Sequence, residues 1–167
     1  MLELILAKYL FGYVLQSVTF VLGIYAINKK RIEFKPFVIV TAIFSVATFI
    51  LRWLVETKKI NFGVHTLLSI IIIIFLGVII LKTTIYDTTL AAVIISISII
   101  FFSEAVTALW VGIALGFENI KVFFEDPLNL ALSIIPTGIM FFIIVLLIYR
   151  HRTKKINGDG ENGKISR

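Results

Sequence analysis

The chain has 167 residues, of which 59% are hydrophobic, and it carries a formal net charge of +6 at pH 7. Soluble domains are about 45–50% apolar, so a soluble fold of this length cannot hide so much apolar surface, and lipid must solvate part of it. The basic residues lie mostly in short clusters beside apolar runs, which indicates membrane topology and argues against nucleic-acid binding. The sequence contains no cysteine, which excludes disulfides, thiolate metal sites and a cysteine nucleophile.

The apolar runs predict an all-α fold, a polytopic membrane bundle of about five transmembrane helices within residues 1–150. The first run has neither a basic leader nor a small-residue cleavage site, so we interpret it as an uncleaved span. Residues 151–167 are basic and then glycine-rich, which predicts a disordered cytoplasmic tail. The predicted spans are 4–27, 36–55, 62–81, 89–116 and 128–149.

The first span carries a face of polar, aromatic and small residues. Its members are Tyr9, Tyr13, Gln16, Phe20 and Gly23. Their spacing places them on one side of a helix, and we expect that side to face the bundle because lipid offers it no hydrogen bonds. Ordinary helix packing and the lining of a pocket both account for such a face.

The second span begins near Pro36, whose missing N–H is not needed in the first turn of a helix. One stripe of this span is polar and ends in a cation. Its members are Thr41, Ser45, Thr48 and Arg52. Arg52 lies beside Trp53 at the far end of the span, so it either extends to the membrane interface or borders a pocket.

The fourth span contains an acid, Glu104, deep within its apolar run. An ionisable group at that depth is costly and indicates a functional role or a buried packing role. Glu104 lies roughly 20 Å from the cytoplasmic start of its span, and Gln16 about 18 Å from the outer start of the first span. With Tyr13 on the face of Gln16, and Arg52 and His65 at outer ends, these positions predict an outward-facing polar pocket. The alternative is a Glu104 that is protonated or hydrogen-bonded purely for packing.

The fifth span and the charge distribution predict a hinge and an orientation. Pro136 and Gly138 interrupt the span, which predicts a kink. The strongest basic clusters lie at 29–35 and 150–155, whereas the link 117–127 is acidic. Five spans put both basic clusters on one side, so the positive-inside rule predicts an external N-terminus and a cytoplasmic C-terminus.

The chain lacks catalytic signatures. It contains no HExxH, no GxSxG and no phosphate-binding glycine loop. His65, an interfacial, capping or pocket residue at the start of the third span, and His151 are its two histidines, so no histidine-based metal set can form. We therefore expect a non-enzymatic protein with no metal and no cofactor.

Three stretches resemble the N-terminal transmembrane sensor region of Firmicutes receptor histidine kinases with a GHKL-type ATPase domain, including accessory-gene-regulator-type peptide-pheromone receptors. They are INFGVHTLLSIIIIIFLGVIILK at 60–82, SEAVTALWVGIALGFENIKVFFEDPL at 103–128 and SIIPTGIMFFIIVLLIYR at 133–150. No dimerisation helix, phosphoacceptor histidine or ATP-binding motif follows residue 150, so kinase activity does not carry over. The resemblance implies a stand-alone sensor-like module in a Gram-positive plasma membrane, a partner or decoy of a complete kinase.

The sequence thus predicts a multi-pass cell-membrane protein that binds a small or peptide signal, or a partner histidine kinase or other membrane protein. It predicts contact with the lipid bilayer and none with nucleic acid. Two alternatives are a small membrane transport component, such as a substrate-binding subunit, and a structural membrane scaffold.

Overall fold

The computed structural model describes residues 12–57, 59, 62–116, 136 and 138–153. These residues form helices joined by short links, with no strand among them, so the all-α prediction is confirmed. The helices are α1 (Leu15–Ile27), α2 (Phe34–Glu56), α3 (Phe62–Ile79), α4 (Ile85–Leu115) and α5 (138–153).

A capping residue, and not hydropathy alone, sets the start of one helix. Helix α4 begins at Ile85, before the predicted start at 89, because Thr84 caps it. The Thr84 hydroxyl accepts a hydrogen bond from the Asp87 backbone N–H at 3.2 Å and donates to Asp87 Oδ2 at 2.8 Å. This reciprocal pair resembles a capping box and satisfies a backbone donor that the first turn leaves without a helical partner.

The other helix ends also depart from the predicted spans. Helix α2 begins at Phe34, two residues before the predicted start, and α3 ends at Ile79, two residues before the predicted end. Helix α5 continues through residue 153, so the first residues of the predicted tail are helical and not disordered. The predicted start of the fifth span at 128, and 154–167, lie outside the described residues.

Helices α1 to α4 alternate in direction along the chain and close into a bundle. Helix α1 packs against α2 and α4, α2 against α3, and α3 against α4. The Phe20 and Phe44 rings meet edge-on with centroids 5.3 Å apart, and Tyr13 meets Phe49 at 5.9 Å, which fixes α1 and α2 as antiparallel. Val145 of α5 belongs to the same buried core.

Two glycines allow close contact between helices. A Cβ on Gly23 of α1 would collide with the Ile95 side chain of α4. A Cβ on Gly77 of α3 would lie 2.6 Å from Thr88 Cγ2 of α4. Thr88 is held in place because its hydroxyl donates to the Thr84 carbonyl at 2.6 Å.

The bundle has an apolar exterior and hydroxyl groups in its interior. The exposed side chains include Ile43, Ile50, Ile71, Phe75, Ile97, Phe101, Ile113 and Leu147. The buried polar side chains are Ser17, Thr19, Thr41, Ser45, Thr48, Thr88 and Ser96. Large contiguous apolar surfaces on folded proteins mark contact with lipid or with another protein.

Helix α2 contains a stretch, Phe34–Val55, that is long and apolar enough to cross a membrane, with a mean hydropathy of 2.2. In its most apolar window of 18 residues, 33% is buried, so most of that window faces the exterior of the described bundle. Among the described residues the other apolar helical stretches, Gly12–Ile27, Gly63–Ile79 and Ile85–Phe101, are shorter.

Several helix ends are tied together at one end of the bundle. Lys30, between α1 and α2, donates to the Leu81 carbonyl at 2.6 Å and lies 3.1 Å from the Glu33 carboxylate. The Ile32 N–H donates to the Tyr149 hydroxyl of α5 at 3.2 Å. The links 28–33 and 80–84 and the last turns of α5 therefore lie together, and we call this the basic end. Its basic residues are Lys29, Lys30, Arg31, Lys35, Lys82, Arg150 and Arg152.

The tight contact at Gly77 predicts a large effect of a single methyl group. We expect Gly77→Ala to lower the free energy of unfolding by about 1–3 kcal/mol, because Thr88 cannot move aside without losing its hydrogen bond. Gly63→Ala in the same helix is the matched control, since nothing lies within 4 Å of its added Cβ. Thermal unfolding in detergent would measure both, and equal midpoints would contradict close packing at Gly77.

Candidate functional site

Helices α1 and α2 carry three of the residues predicted to border a pocket, and one of them, Tyr13, contacts the other helix. Tyr13 lies in a π turn at 12–14 that leads into α1, and its ring packs edge-on against Phe49 of α2. Because α1 and α2 are antiparallel, Gln16 lies about one turn from this contact toward the basic end, and Arg52 lies about one turn from it toward the opposite end. Tyr13, Gln16 and Arg52 are all half-buried. They lie toward the end of the bundle opposite the basic end.

His65 and Glu104 lie on the other two helices of the ring. His65 is in the first turn of α3, near the end of α2 that carries Arg52, and its ring nitrogens are shielded from solvent. Glu104 belongs to α4, about 28 Å from the helix start at the basic end. Its backbone is therefore in the same half of the bundle, whereas its side chain lies outside the described part of the structure.

The predicted hinge lies at the start of α5. Gly138 packs against α1, since a Cβ there would approach Leu15 Cδ2 to 3.2 Å. Pro136 is exposed, and 137 and the stretch 117–135 before it lie outside the described residues. The kink at Pro136 and Gly138 therefore stays a prediction.

Most buried hydroxyls in the interior are satisfied within their own helix. Ser17, Thr19, Thr48 and Thr88 each donate to the carbonyl four residues earlier, at 2.6–2.8 Å. Such bonds let a polar side chain lie inside an apolar bundle without a partner on another helix. These four polar side chains therefore lie in the interior with their hydrogen bonds made, and they need no further partner.

Thr41 and Ser45 differ from the other hydroxyls. They lie one turn apart on α2, they are buried, and neither hydroxyl has a hydrogen-bond partner among the described residues. An unsatisfied buried polar group costs about 1–3 kcal/mol. The sequence places both on a polar stripe with Thr48, but composition cannot show which of the three lacks a bond, because that depends on the side-chain rotamer. Together with the buried Tyr25 hydroxyl, which also has no hydrogen-bond partner among the described residues, Thr41 and Ser45 are open to a water or a polar ligand.

An open depression on α4, of about 500 Å³, lies on the exterior. It is lined by Ile97, Ile100, Phe101 and Ala105. Among the predicted pocket residues whose side chains the structure describes, none lines this depression, and its aliphatic and aromatic walls suit acyl chains better than a polar signal.

The chain was compared with known families, proteins and structures. The chain matches no family model, no curated protein and no solved structure. Among the described residues no group of three His, Asp or Glu side chains could hold a metal ion. The candidate site is therefore the polar cluster of α1 and α2, in which Tyr13 contacts Phe49 and half-buried Gln16 and Arg52 lie about one turn to either side.

The unpaired hydroxyl of Thr41 gives a direct test of the interior. We expect Thr41→Val to raise the free energy of unfolding, because it removes an unsatisfied polar group while keeping the side-chain shape. Thr48→Val is the matched control on the same helix, since it removes a hydrogen bond of 2.8 Å to the Phe44 carbonyl. Thermal unfolding in detergent compares the two. A Thr41→Val variant less stable than Thr48→Val would mean that Thr41 binds a partner, such as a water.

Proposed function

We propose that this chain is a multi-pass membrane protein whose five spans leave the N-terminus outside and the C-terminus in the cytoplasm. The apolar exterior supports membrane insertion, because a water-soluble bundle would turn its hydroxyl-bearing faces outward. The helix directions agree with this arrangement: α5 is parallel to α1, since Gly138 lies against Leu15 and Tyr149 lies against the link after α1. A parallel pair is what the first and last of five alternating spans would form.

The charge at the two ends supports the orientation. The basic end holds seven basic side chains against two carboxylates, those of Glu33 and Asp87. At the opposite end, the link after α2 holds Lys58 and Lys59, fewer bases than the basic end, and the sequence after α4 holds Glu118, Glu125 and Asp126 against Lys121. Cytoplasmic links are enriched in Lys and Arg, so the basic end is assigned to the cytoplasm.

The proposed activity is that of a non-enzymatic, sensor-like module. It would bind a small or peptide signal at the polar cluster and transmit a change in helix packing to a partner at the cytoplasmic side. The observation that carries this proposal is the hydrogen bonding at the basic end. Lys30 ties the end of α3, and the Ile32 N–H ties the end of α5, to the link between α1 and α2.

These hydrogen bonds would allow a movement of α1 or α2 to reach α3 and α5. Because α1 and α2 carry Tyr13, Gln16 and Arg52 at their other ends, a shift between them would reach the link that holds α3 and α5. A ligand can shift such an equilibrium only by its difference in affinity for the two states. The resemblance to histidine-kinase sensor regions supports a Gram-positive plasma membrane and a kinase as partner.

Reporter fusions test the topology. We expect reporters at the N-terminus and near Gly116 to be external, and reporters at residue 31, residue 83 and the C-terminus to be cytoplasmic, because the basic links resist translocation. Alkaline-phosphatase and fluorescent-protein activities would measure the two sides. An external C-terminal reporter would overturn the proposed orientation.

Glu104 tests the pocket. We expect Glu104→Gln to abolish the response to ligand while the protein level stays unchanged, because the amide keeps the shape but loses the charge. Ser96→Ala, a change at a buried hydroxyl on the same helix, is the control. The readout is ligand-dependent activation of a co-expressed candidate kinase, with membrane protein level measured in parallel. Loss of protein level alone would favour a packing role, and no change in either would exclude Glu104 from the pocket.

Co-purification in mild detergent distinguishes the classes of partner. We expect recovery with a histidine kinase. Recovery with transporter ATPase subunits and not with a kinase would replace the sensor-like proposal with the transport alternative.

A further inference from the structure

We propose that the basic end is a docking surface for the phosphates of anionic lipid headgroups, with Lys29 and Lys82 at its centre. This inference rests on the proposed membrane orientation, and it assigns a ligand to a surface that the orientation alone leaves unassigned. Two links far apart in sequence form the surface, and the Lys30 bond to the Leu81 carbonyl holds them together.

The two lysines are available to an external anion. Lys29 and Lys82 are both exposed, and their ammonium groups make no hydrogen bond or ion pair with any described residue. Lys30 contrasts with them, because its ammonium group is used inside the fold by Leu81 and Glu33. The basic end therefore contains a structural cation and, beside it, cations whose charge the fold does not use.

The backbone conformation at residues 29 and 82 does not itself favour lysine, which indicates that the charge of the side chain is the reason for lysine there. Both residues have φ of 51°, and in the described chain they are the two non-glycine residues with positive φ. Glycine is preferred at such positions after a helix, because it adopts the left-handed conformation without a steric cost. A side chain that the backbone disfavours at two adjacent links is best explained by what its charge binds.

Aromatic and aliphatic side chains beside the lysines favour a lipid surface over a soluble anion. Phe34 is 78% exposed and Tyr86 is 74% exposed, and Ile85 lies next to Tyr86 with 68% exposure. Aromatic residues of this kind concentrate at the level of the headgroups, with basic side chains extending to the phosphates. A phosphate in solution would gain nothing from these apolar neighbours.

The test uses the full chain in neutral detergent micelles, titrated with phosphatidylglycerol or with phosphatidylcholine of the same acyl chains. We expect phosphatidylglycerol to raise the unfolding temperature and phosphatidylcholine to leave it unchanged, since a ligand that binds only the folded state stabilises it. Glycerol phosphate without acyl chains should have no effect. Equal shifts with the two lipids, or the full shift with glycerol phosphate, would overturn the inference.

The decisive variant is the pair Lys29→Gly and Lys82→Gly. It should unfold at the same or a higher temperature without lipid, because glycine relieves the backbone. It should also require about 25-fold more phosphatidylglycerol to reach half of the full shift in unfolding temperature. Each lysine near an anionic surface contributes about fivefold to the affinity, and two lysines are removed. The pair Lys29→Asn and Lys82→Asn serves if the glycine pair does not fold, since asparagine also tolerates this conformation.

Two controls separate charge from position. The pair Lys29→Arg and Lys82→Arg should keep the lipid response, and so should Lys59→Gln at the opposite end of the bundle. An unchanged phosphatidylglycerol response in the glycine pair would overturn the lipid inference, with the protein still integral to the membrane. Release of the wild-type protein from membranes by alkaline carbonate would instead overturn the proposed function.

Discussion

Everything in this structure depends on satisfying polar groups inside a bundle whose exterior is apolar. A helix satisfies its own backbone, and most interior hydroxyls here donate to a carbonyl of the same helix, as Thr48 does to Phe44. This keeps polar residues from requiring partners across the bundle. The interfaces between helices are then left to shape, which is why single methyl groups at Gly23 and Gly77 would collide with α4. Thr41 and Ser45 depart from this rule, and they do so next to the aromatic contact of Phe44 with Phe20.

The general architecture follows from the sequence, but its exact bounds do not. Apolar runs of sufficient length predict helices, and the helices occur where the runs are. The start of α4 at Ile85 depends on the Thr84 and Asp87 side chains, which a hydropathy pattern ignores. The continuation of α5 past 149 is also invisible to hydropathy, because residues 150–153 are polar and the Thr153 hydroxyl bonds back to the Tyr149 carbonyl.

The candidate site was partly predictable for a similar reason. Periodicity places Tyr13 and Gln16 on one face and Arg52 at the end of the polar stripe of α2. It cannot pair the two faces, because the register between helices is set by contacts such as Tyr13 with Phe49. Nor can it separate Thr41 from Thr48, which have the same composition and period and differ in one rotamer-dependent bond. The role of Lys30, which links 28–33 to 80–84, is likewise invisible without coordinates.

The attachment of α5 limits how a signal could travel. Gly138 lies against Leu15, Val145 lies near Gly23, and the Tyr149 hydroxyl accepts from the Ile32 N–H, so α5 contacts α1 and its following link along its whole described length. A hinge at Pro136 and Gly138 would therefore move the segment before it more easily than α5 itself. Motion of α5 requires motion of α1, and α1 carries Tyr13 and Gln16. The pair α1 and α5, and not the proline, is then the element whose displacement would join the polar cluster to the basic end.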